Sequence, residues 1–179
     1  MKITFCDYNQ DLISELVKQY EEHKKDLSFV CTFHHGDILE NPYQAIVSPA
    51  NSIGAMDGGI DLHYANVFGE DFVERVRENF KTHPFSEVLV GEAVVTQTNT
   101  IDHPFVISAP TMRSPRRIAA ENVYLATRAA VKLAQFRQFS TLAIPGMGTG
   151  VGGVPYKEAA FAMMGGLLAA DNYYVKNGV

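Results

Sequence analysis

Ile144-Pro145-Gly146-Met147-Gly148-Thr149-Gly150-Val151-Gly152-Gly153 puts five glycines in eight positions directly after an apolar, strand-like run at residues 142–145. A helical pattern follows, starting near Pro155, whose fixed φ suits a first helical turn. A strand-to-helix connection this rich in glycine exposes consecutive backbone N–H groups able to wrap an anion such as a diphosphate. The plain alternative is a structural turn, but the folding entropy lost by so many glycines exceeds what turning alone requires. No Lys follows the glycines as in G-x-x-x-x-G-K-[ST], and the run is not a G-x-G-x-x-G fingerprint in a first βα turn. Both absences argue against ATP hydrolysis and hydride transfer.

Working outward, a second loop of unusual chemistry, Ser48-Pro49-Ala50-Asn51-Ser52-Ile53-Gly54-Ala55-Met56-Asp57-Gly58-Gly59-Ile60-Asp61, follows the apolar run at 45–47. Gly58-Gly59 permits close backbone approach, and a helix beginning near Ile60 directs N–H groups and a positive dipole end at a phosphate. Asn51 can donate to and accept from ribose hydroxyls. The alternative is a tight connection in which Asn51 and Asp57 cap and the glycines turn. A third loop, Gly36-Asp37-Ile38, follows the run at 29–33. Asp37 can accept from an exocyclic amine such as that of adenine, or else bond its own backbone in a Gly-Asp turn.

Strands are expected at 3–6, 29–33, 45–48, 93–98, 105–109 and 142–145, each ending in turn chemistry. Between them, Leu12, Ile13, Leu16, Val17 and Tyr20 share one face of a helix capped near Asn9 or Asp11. Phe72, Val73, Val76 and Phe80 share a face at 70–80, and Leu125, Ala129 and Leu133 at 121–136. The last helix runs from Pro155 through Met163 and Leu167 toward Tyr173, with Gly165-Gly166 costing about 1 kcal/mol each relative to alanine. This alternation predicts a three-layer α/β/α fold around a mixed, mostly parallel sheet of about six strands. Such sheets bind ligands at the carboxyl ends of their strands, where all three loops fall. With 179 residues, 46% hydrophobic, the chain suits one domain over 1–179, without internal repeat or long linker.

The formal net charge is −5 and the pI about 5.6, which argues against nucleic acid as the main partner. Cys6 and Cys31 lie in strand-like segments and read as reduced core residues. No apolar run approaches the roughly 20 residues of a membrane span and no leader pattern is present, so a cytoplasmic protein without membrane contact is expected. His34, His35, His63 and His103 lack the partner spacing of a metal site, so neither metal nor cofactor is expected. Arg113, Arg116 and Arg117 cluster after a strand, where they guide a phosphorylated ligand or form a solvated loop at the start of a helix. No G-x-S-x-G or S-x-x-K supports a serine acyl-enzyme.

Taken together, Gly36-Asp37-Ile38, the Asn51-containing loop with Met56-Asp57-Gly58-Gly59-Ile60-Asp61, and Gly148-Thr149-Gly150-Val151-Gly152 resemble the macrodomain family, in a variant similar to those of bacteria and their phages. The resemblance spans roughly residues 29–173. It implies that Asp37 and Ile38 recognise adenine and that Asn51 contacts the distal ribose. It further implies that Gly58, Gly59 and Ile60 supply phosphate and ribose contacts, and that Gly148, Thr149, Gly150, Val151 and Gly152 clasp the diphosphate. Asp61 matches an aspartate of the hydrolytic members, which makes Asn51 and Asp61 the candidate catalytic pair. The chain departs from the hydrolase pattern at Ser48-Pro49, where the family has Asn-Ala, and in its reduced first glycine run; the paired glutamates of the glycohydrolase subclass are absent. It also ends without the terminal strand and aromatic-bearing loop that many members place against adenine, leaving the stacking residue unassigned. The implied function is binding of ADP-ribose or an ADP-ribosylated protein, with hydrolysis of ADP-ribosyl esters or of O-acetyl-ADP-ribose. The alternatives are a reader without catalysis and a phage structural or assembly protein that keeps the fold. A β-branched residue at Gly148 or Gly150 is expected to abolish binding while leaving the fold largely intact.

Overall fold

The structure, a computed structural model, describes residues 1–177. In chain order the elements are β1 (Lys2–Asp7), α1 (Gln10–His23), β2 (Val30–His35), β3 (Ala45–Ser48), α2 (Gly59–Phe68), α3 (Glu70–Lys81), β4 (Val94–Gln97), β5 (Phe105–Ser108), α4 (Ala120–Phe136), β6 (Thr141–Pro145) and α5 (Tyr156–Asn177). The six strands form one sheet in the order β2-β1-β6-β3-β5-β4, parallel throughout except for β4 against β5.

The period-2 alternation of strand side chains sorts the sheet into two cores. Ile3, Phe5, Ala45, Val47, Ile107, Leu142 and Ile144 pack with α1, α4 and α5 on one face. Cys6, Ile46, Val106 and Ala143 pack with Tyr64 of α2 and with Phe72, Val76 and Phe80 of α3 on the other. The expected three-layer α/β arrangement is therefore observed. Tyr64 is fully buried and donates its hydroxyl to the Val47 carbonyl at 3.0 Å, fixing α2 against β3.

Asn9, rather than Asp11, caps α1: its Oδ1 accepts from the N–H groups of Asp11 and Leu12 at 3.0 and 3.1 Å. Val17 lies on the margin of the buried stripe and is exposed. In α4 the buried face is Val123, Ala126, Thr127, Ala130, Val131 and Ala134, offset from the expected Leu125, Ala129 and Leu133, which are only half-buried. The small residues win that face because α5 packs closely there: a Cβ on Gly166 would stand 2.6 Å from the Tyr124 carbonyl oxygen and 3.0 Å from the Arg128 amide nitrogen. The exposed edge at β4 is covered by α3, where Asn79 donates to the Val95 carbonyl at 3.0 Å and Arg75 to that of Gln97 at 3.0 Å. No helix among the described residues is long and apolar enough to cross a membrane.

Candidate functional site

β1, β3 and β6 all end at one side of the sheet, and the loops that leave them enclose a cavity of about 550 Å³. Its lining brings together Asp37 and Ile38, Asn51, Gly58 to Asp61, and Gly148 to Gly152, but not Arg113, Arg116 or Arg117.

The wall built by the second glycine loop is a row of unpaired donors. Gly153 and Val154 turn back to the carbonyls of Gly150 and Gly148 at 3.0 and 3.1 Å, and the Gly152 carbonyl accepts from the Ile118 N–H at 3.0 Å. The amides of Gly148, Thr149, Gly150, Val151 and Gly152 donate to nothing among the described residues. Five successive free N–H groups are a set of backbone donors of the kind that can hold an anion. Asp7, at the end of β1, anchors the row by accepting from the Gly146 N–H at 3.1 Å and from the Asn9 N–H at 2.7 Å. Another part of the lining is the start of α2, whose N-cap is Gly58 with no side chain bonded to it, so Asp57 does not cap. Its first-turn amides stay available to a ligand.

The two glycines expected to behave alike differ. Gly150 has open space where a Cβ would stand. Gly148 lies at φ +74° with a Cβ position 2.6 Å from Val123 Cγ2, so its lack of a side chain serves the packing of α4 as well as the loop. The expectation that the fold tolerates a β-branched residue at Gly148 is thereby corrected.

Asn51 holds its own loop. Its Oδ1 accepts from the amides of Ile53 and Ala55 at 3.2 and 3.1 Å, and its Nδ2 donates to the Ala55 carbonyl at 3.1 Å. Asp61, buried to the same extent as Asn51, accepts a hydrogen bond from the Ser48 hydroxyl. Strand alternation explains this pair: Ser48 follows Ile46 by two residues and so faces the α2 layer. Burial pushes the Asp61 carboxyl up to about 6; the Ser48 bond pulls it down and Asp57 adds to the rise. The serine that departs from the hydrolase pattern is thus the partner of the candidate catalytic carboxylate.

Asp37 closes another corner. Its Oδ1 accepts from the Leu39 N–H at 2.9 Å, the local turn foreseen as the alternative, and His63 of α2 approaches Oδ2 at 3.0 Å. Partial burial raises its carboxyl, but the Leu39 amide, the Tyr8 hydroxyl and His63 together outweigh this and hold it below the ordinary range.

Sequence reasoning did not single out Tyr8 or Asp7, and weighed His63 only as a metal ligand. Tyr8 lines the cavity on the loop after β1, is 70% exposed, and shares Asp37 through its hydroxyl. The signal was the Asp7-Tyr8-Asn9 turn directly after an apolar strand. Cys6 also reaches the lining, but burial pushes its thiol up to about 11, so it stays protonated. Among the described residues, no group of three or more His, Cys, Asp or Glu is placed to hold a metal ion.

Comparison with known proteins returns a family model, "Macro domain", over residues 47–163. An uncharacterised protein of Aquifex aeolicus is 42% identical over 130 residues, 72% of this chain and 75% of that one. A Thermus aquaticus protein named DNA ADP-ribosyl glycohydrolase is 28% identical over 70% of this chain and 34% of its own length, so this chain spans about a third of that relative. Among solved structures, the macrodomain of Mycobacterium tuberculosis DarG superposes with a TM-score of 0.66 at 20% identity, covering 76% of this chain and 88% of that one. A mutant of the Oceanobacillus iheyensis macrodomain with ADPR gives 0.63 at 23%, covering 75% and 74%. At these identities the superpositions establish the fold.

Proposed function

The chain belongs to the Macro domain family, and from that premise we propose that residues 1–179, of which Gly178 and Val179 lie outside the described residues, form one macrodomain whose cavity binds ADP-ribose. The observation that carries the reading is the row of five unpaired amides at Gly148–Gly152 in the same cavity as the uncapped start of α2. Neutral N–H groups and a helix dipole suit a diphosphate, whereas a cavity for an uncharged ligand would leave them unsatisfied. In this reading Asp37 accepts from the adenine amine beside Ile38, and the exposed ring of Tyr8 is the stacking platform that the sequence left unassigned. Gly58, Gly59 and Ile60 contact phosphate and distal ribose, and Asn51 shapes the loop against which that ribose lies.

Hydrolysis of an ADP-ribosyl ester is the chemistry proposed for Asp61. A carboxyl held near 6 by burial is poised to take a proton from a water close to neutral pH, and the Ser48 hydroxyl fixes its orientation. The ring of bound donors would hold the diphosphate bent so that the ester faces that water, with little reorganisation during the reaction. A reader without catalysis is the second reading, favoured by one observation: both ends of the Asn51 amide are already engaged by Ile53 and Ala55.

The proposed partner is ADP-ribose, free or on an acceptor, with the net charge of −5 favouring a protein acceptor; the cytoplasm is proposed as its place of action. Because the Thermus aquaticus relative is named for DNA, the test carries both acceptors. Calorimetry is expected to show tighter binding of ADP-ribose than of AMP, and equal affinities would overturn the binding reading. Release of ADP-ribose is then followed from an ADP-ribosyl-glutamate peptide, from O-acetyl-ADP-ribose and from an ADP-ribosylated oligonucleotide. Tight binding with no release from any of them would leave a reader.

A further inference from the structure

The charges around the cavity do not balance a diphosphate. Asp7, Asp37, Asp57 and Asp61 line it, and no Lys or Arg does. Free amides supply partial charges only, so a ligand bringing about two negative charges enters a lining whose formal charges share its sign. The cations that could offset this stand on the loop between β5 and α4, whose Pro115 also lines the cavity. Arg113 is spent on Glu87, which it meets at 2.7 and 2.9 Å through Nη2 and Nε. Arg116 and Arg117 are exposed and have no acidic partner among the described residues.

Arg117 alone of these two is seated against the glycine loop, at Gly153, one residue past the amide row. Its Nη1 lies 2.5 Å, and its Cζ 3.2 Å, from the point where a Cβ on Gly153 would stand, so the guanidinium rests on the glycine backbone at the end of the loop. Gly153 has φ +65°, a conformation that favours glycine, and the missing side chain is what makes the seat. The next residue, Ile118, donates its N–H to the Gly152 carbonyl at 3.0 Å, tying the arginine-bearing loop to the glycine loop.

We propose that Arg117 is the cation of this site: from its seat on Gly153 it reaches a phosphate oxygen held by the Gly148–Gly152 amides and makes the binding of a diphosphate selective over that of an uncharged nucleoside. The inference rests on the ADP-ribose reading of the cavity. A guanidinium adds to backbone donors the charge-assisted hydrogen bond that they lack.

The test titrates ADP-ribose, ADP and adenosine into the wild type, R117Q, R117K and R116Q at roughly 50 and 300 mM salt, a range over which screening of exposed charges changes strongly. R117Q is expected to weaken ADP-ribose and ADP by about 5- to 20-fold, to leave adenosine unchanged and to flatten the salt dependence. R117K recovers part of the loss, R116Q behaves as wild type, and the melting temperatures stay together. Unchanged ADP-ribose affinity and salt dependence in folded R117Q, with the wild type binding normally, overturns the inference alone. So does an equal loss for adenosine, which marks a structural role, or a loss in R116Q as large as that in R117Q. Absence of ADP-ribose binding by the wild type overturns the reading of the cavity and this inference with it.

Discussion

At Asp61, position in the fold converts an ordinary carboxylate into a group that titrates near pH 6. Its folded value lies above the usual 3.8, so between those two pH values the folded state binds more protons than the unfolded state, and stability falls as pH rises through the window. Above pH 6 the buried charge is a standing cost. Asp61→Asn is therefore expected to stabilise the fold by roughly 1–3 kcal/mol at pH 7.5, with the gain shrinking toward pH 4 as the wild-type carboxyl becomes neutral. Urea denaturation of both proteins across that range checks it; a difference that does not vary with pH would show that Asp61 is not the titrating group. The same carboxyl gives the proposed hydrolysis its pH dependence, with turnover rising as the base form appears above pH 6 and absent in the asparagine variant. Gly148 and Gly150 make a second contrast. Gly150→Val enters open space and should fold normally while losing ADP-ribose, whereas Gly148→Val meets Val123 at a positive φ and should lose about 2–4 kcal/mol. Thermal melts with calorimetry separate the two, and a stable Gly148→Val would refute the packing role.

Among the elements, the α4–α5 contact shows local preference yielding to packing. Alanine ordinarily stabilises a helix relative to glycine by about 1 kcal/mol. A Cβ added at Gly165 would make only an ordinary contact with the Tyr124 ring at 3.4 Å, whereas one added at Gly166 would stand 2.6 Å from the Tyr124 carbonyl oxygen of α4. The two substitutions should therefore have opposite signs: Gly165→Ala stabilises by about 0.5–1 kcal/mol, and Gly166→Ala destabilises by about 1–3 kcal/mol because backbone has no rotamer with which to give way. Denaturant midpoints at constant m-value decide it, and a stabilised Gly166→Ala would mean the helices relax apart without cost. The cap of α1 shows the same coupling of local and tertiary structure. Asn9 bonds its own helix through Oδ1 and the hydroxyl of Tyr156, at the start of α5, through Nδ2 at 2.8 Å.

Over the whole molecule, bonds between elements far apart in the chain hold the ends of the sheet from which the binding loops leave. Asp171 of α5 accepts from the Ser28 amide and hydroxyl at 2.6 and 2.5 Å, fastening the last helix to the approach of β2, while Asp7 of β1 fastens the glycine loop of β6. A ligand seated across loops from β1, β2, β3 and β6 stabilises them together. At a concentration about 100 times its Kd it should add about 2.7 kcal/mol, equivalent to a rise in Tm of about 5–10 °C for a domain of this size. Thermal denaturation with ADP-ribose, with adenosine in parallel, measures this. A rise confined to adenosine would place the affinity in the base corner and remove the diphosphate from the account.

The periodicities of the sequence determined the six strands, four of the five helices and the three layers, because runs such as residues 45–48 and the Phe72, Val73, Val76, Phe80 stripe state locally which face is buried. Composition identified three of the loops that line the cavity, since dense glycine and carboxamide or carboxylate side chains after a buried strand are local signals; the Tyr8 and Pro115 loops carried no such signal. Only the tertiary structure decided who meets whom. Ser48 finds Asp61 because sheet alternation aims it at a helix that begins eleven positions later. Tyr8 reaches the cavity because the first strand of the chain lies between β2 and β6, a pairing of segments more than a hundred residues apart that no local pattern encodes. Arg117 finds Gly153 across a helix and a strand in the same way. Whether a glycine serves the ligand or the core, as at Gly150 and Gly148, depends on what occupies the space where its Cβ would stand, which is a property of packed neighbours and not of the chain.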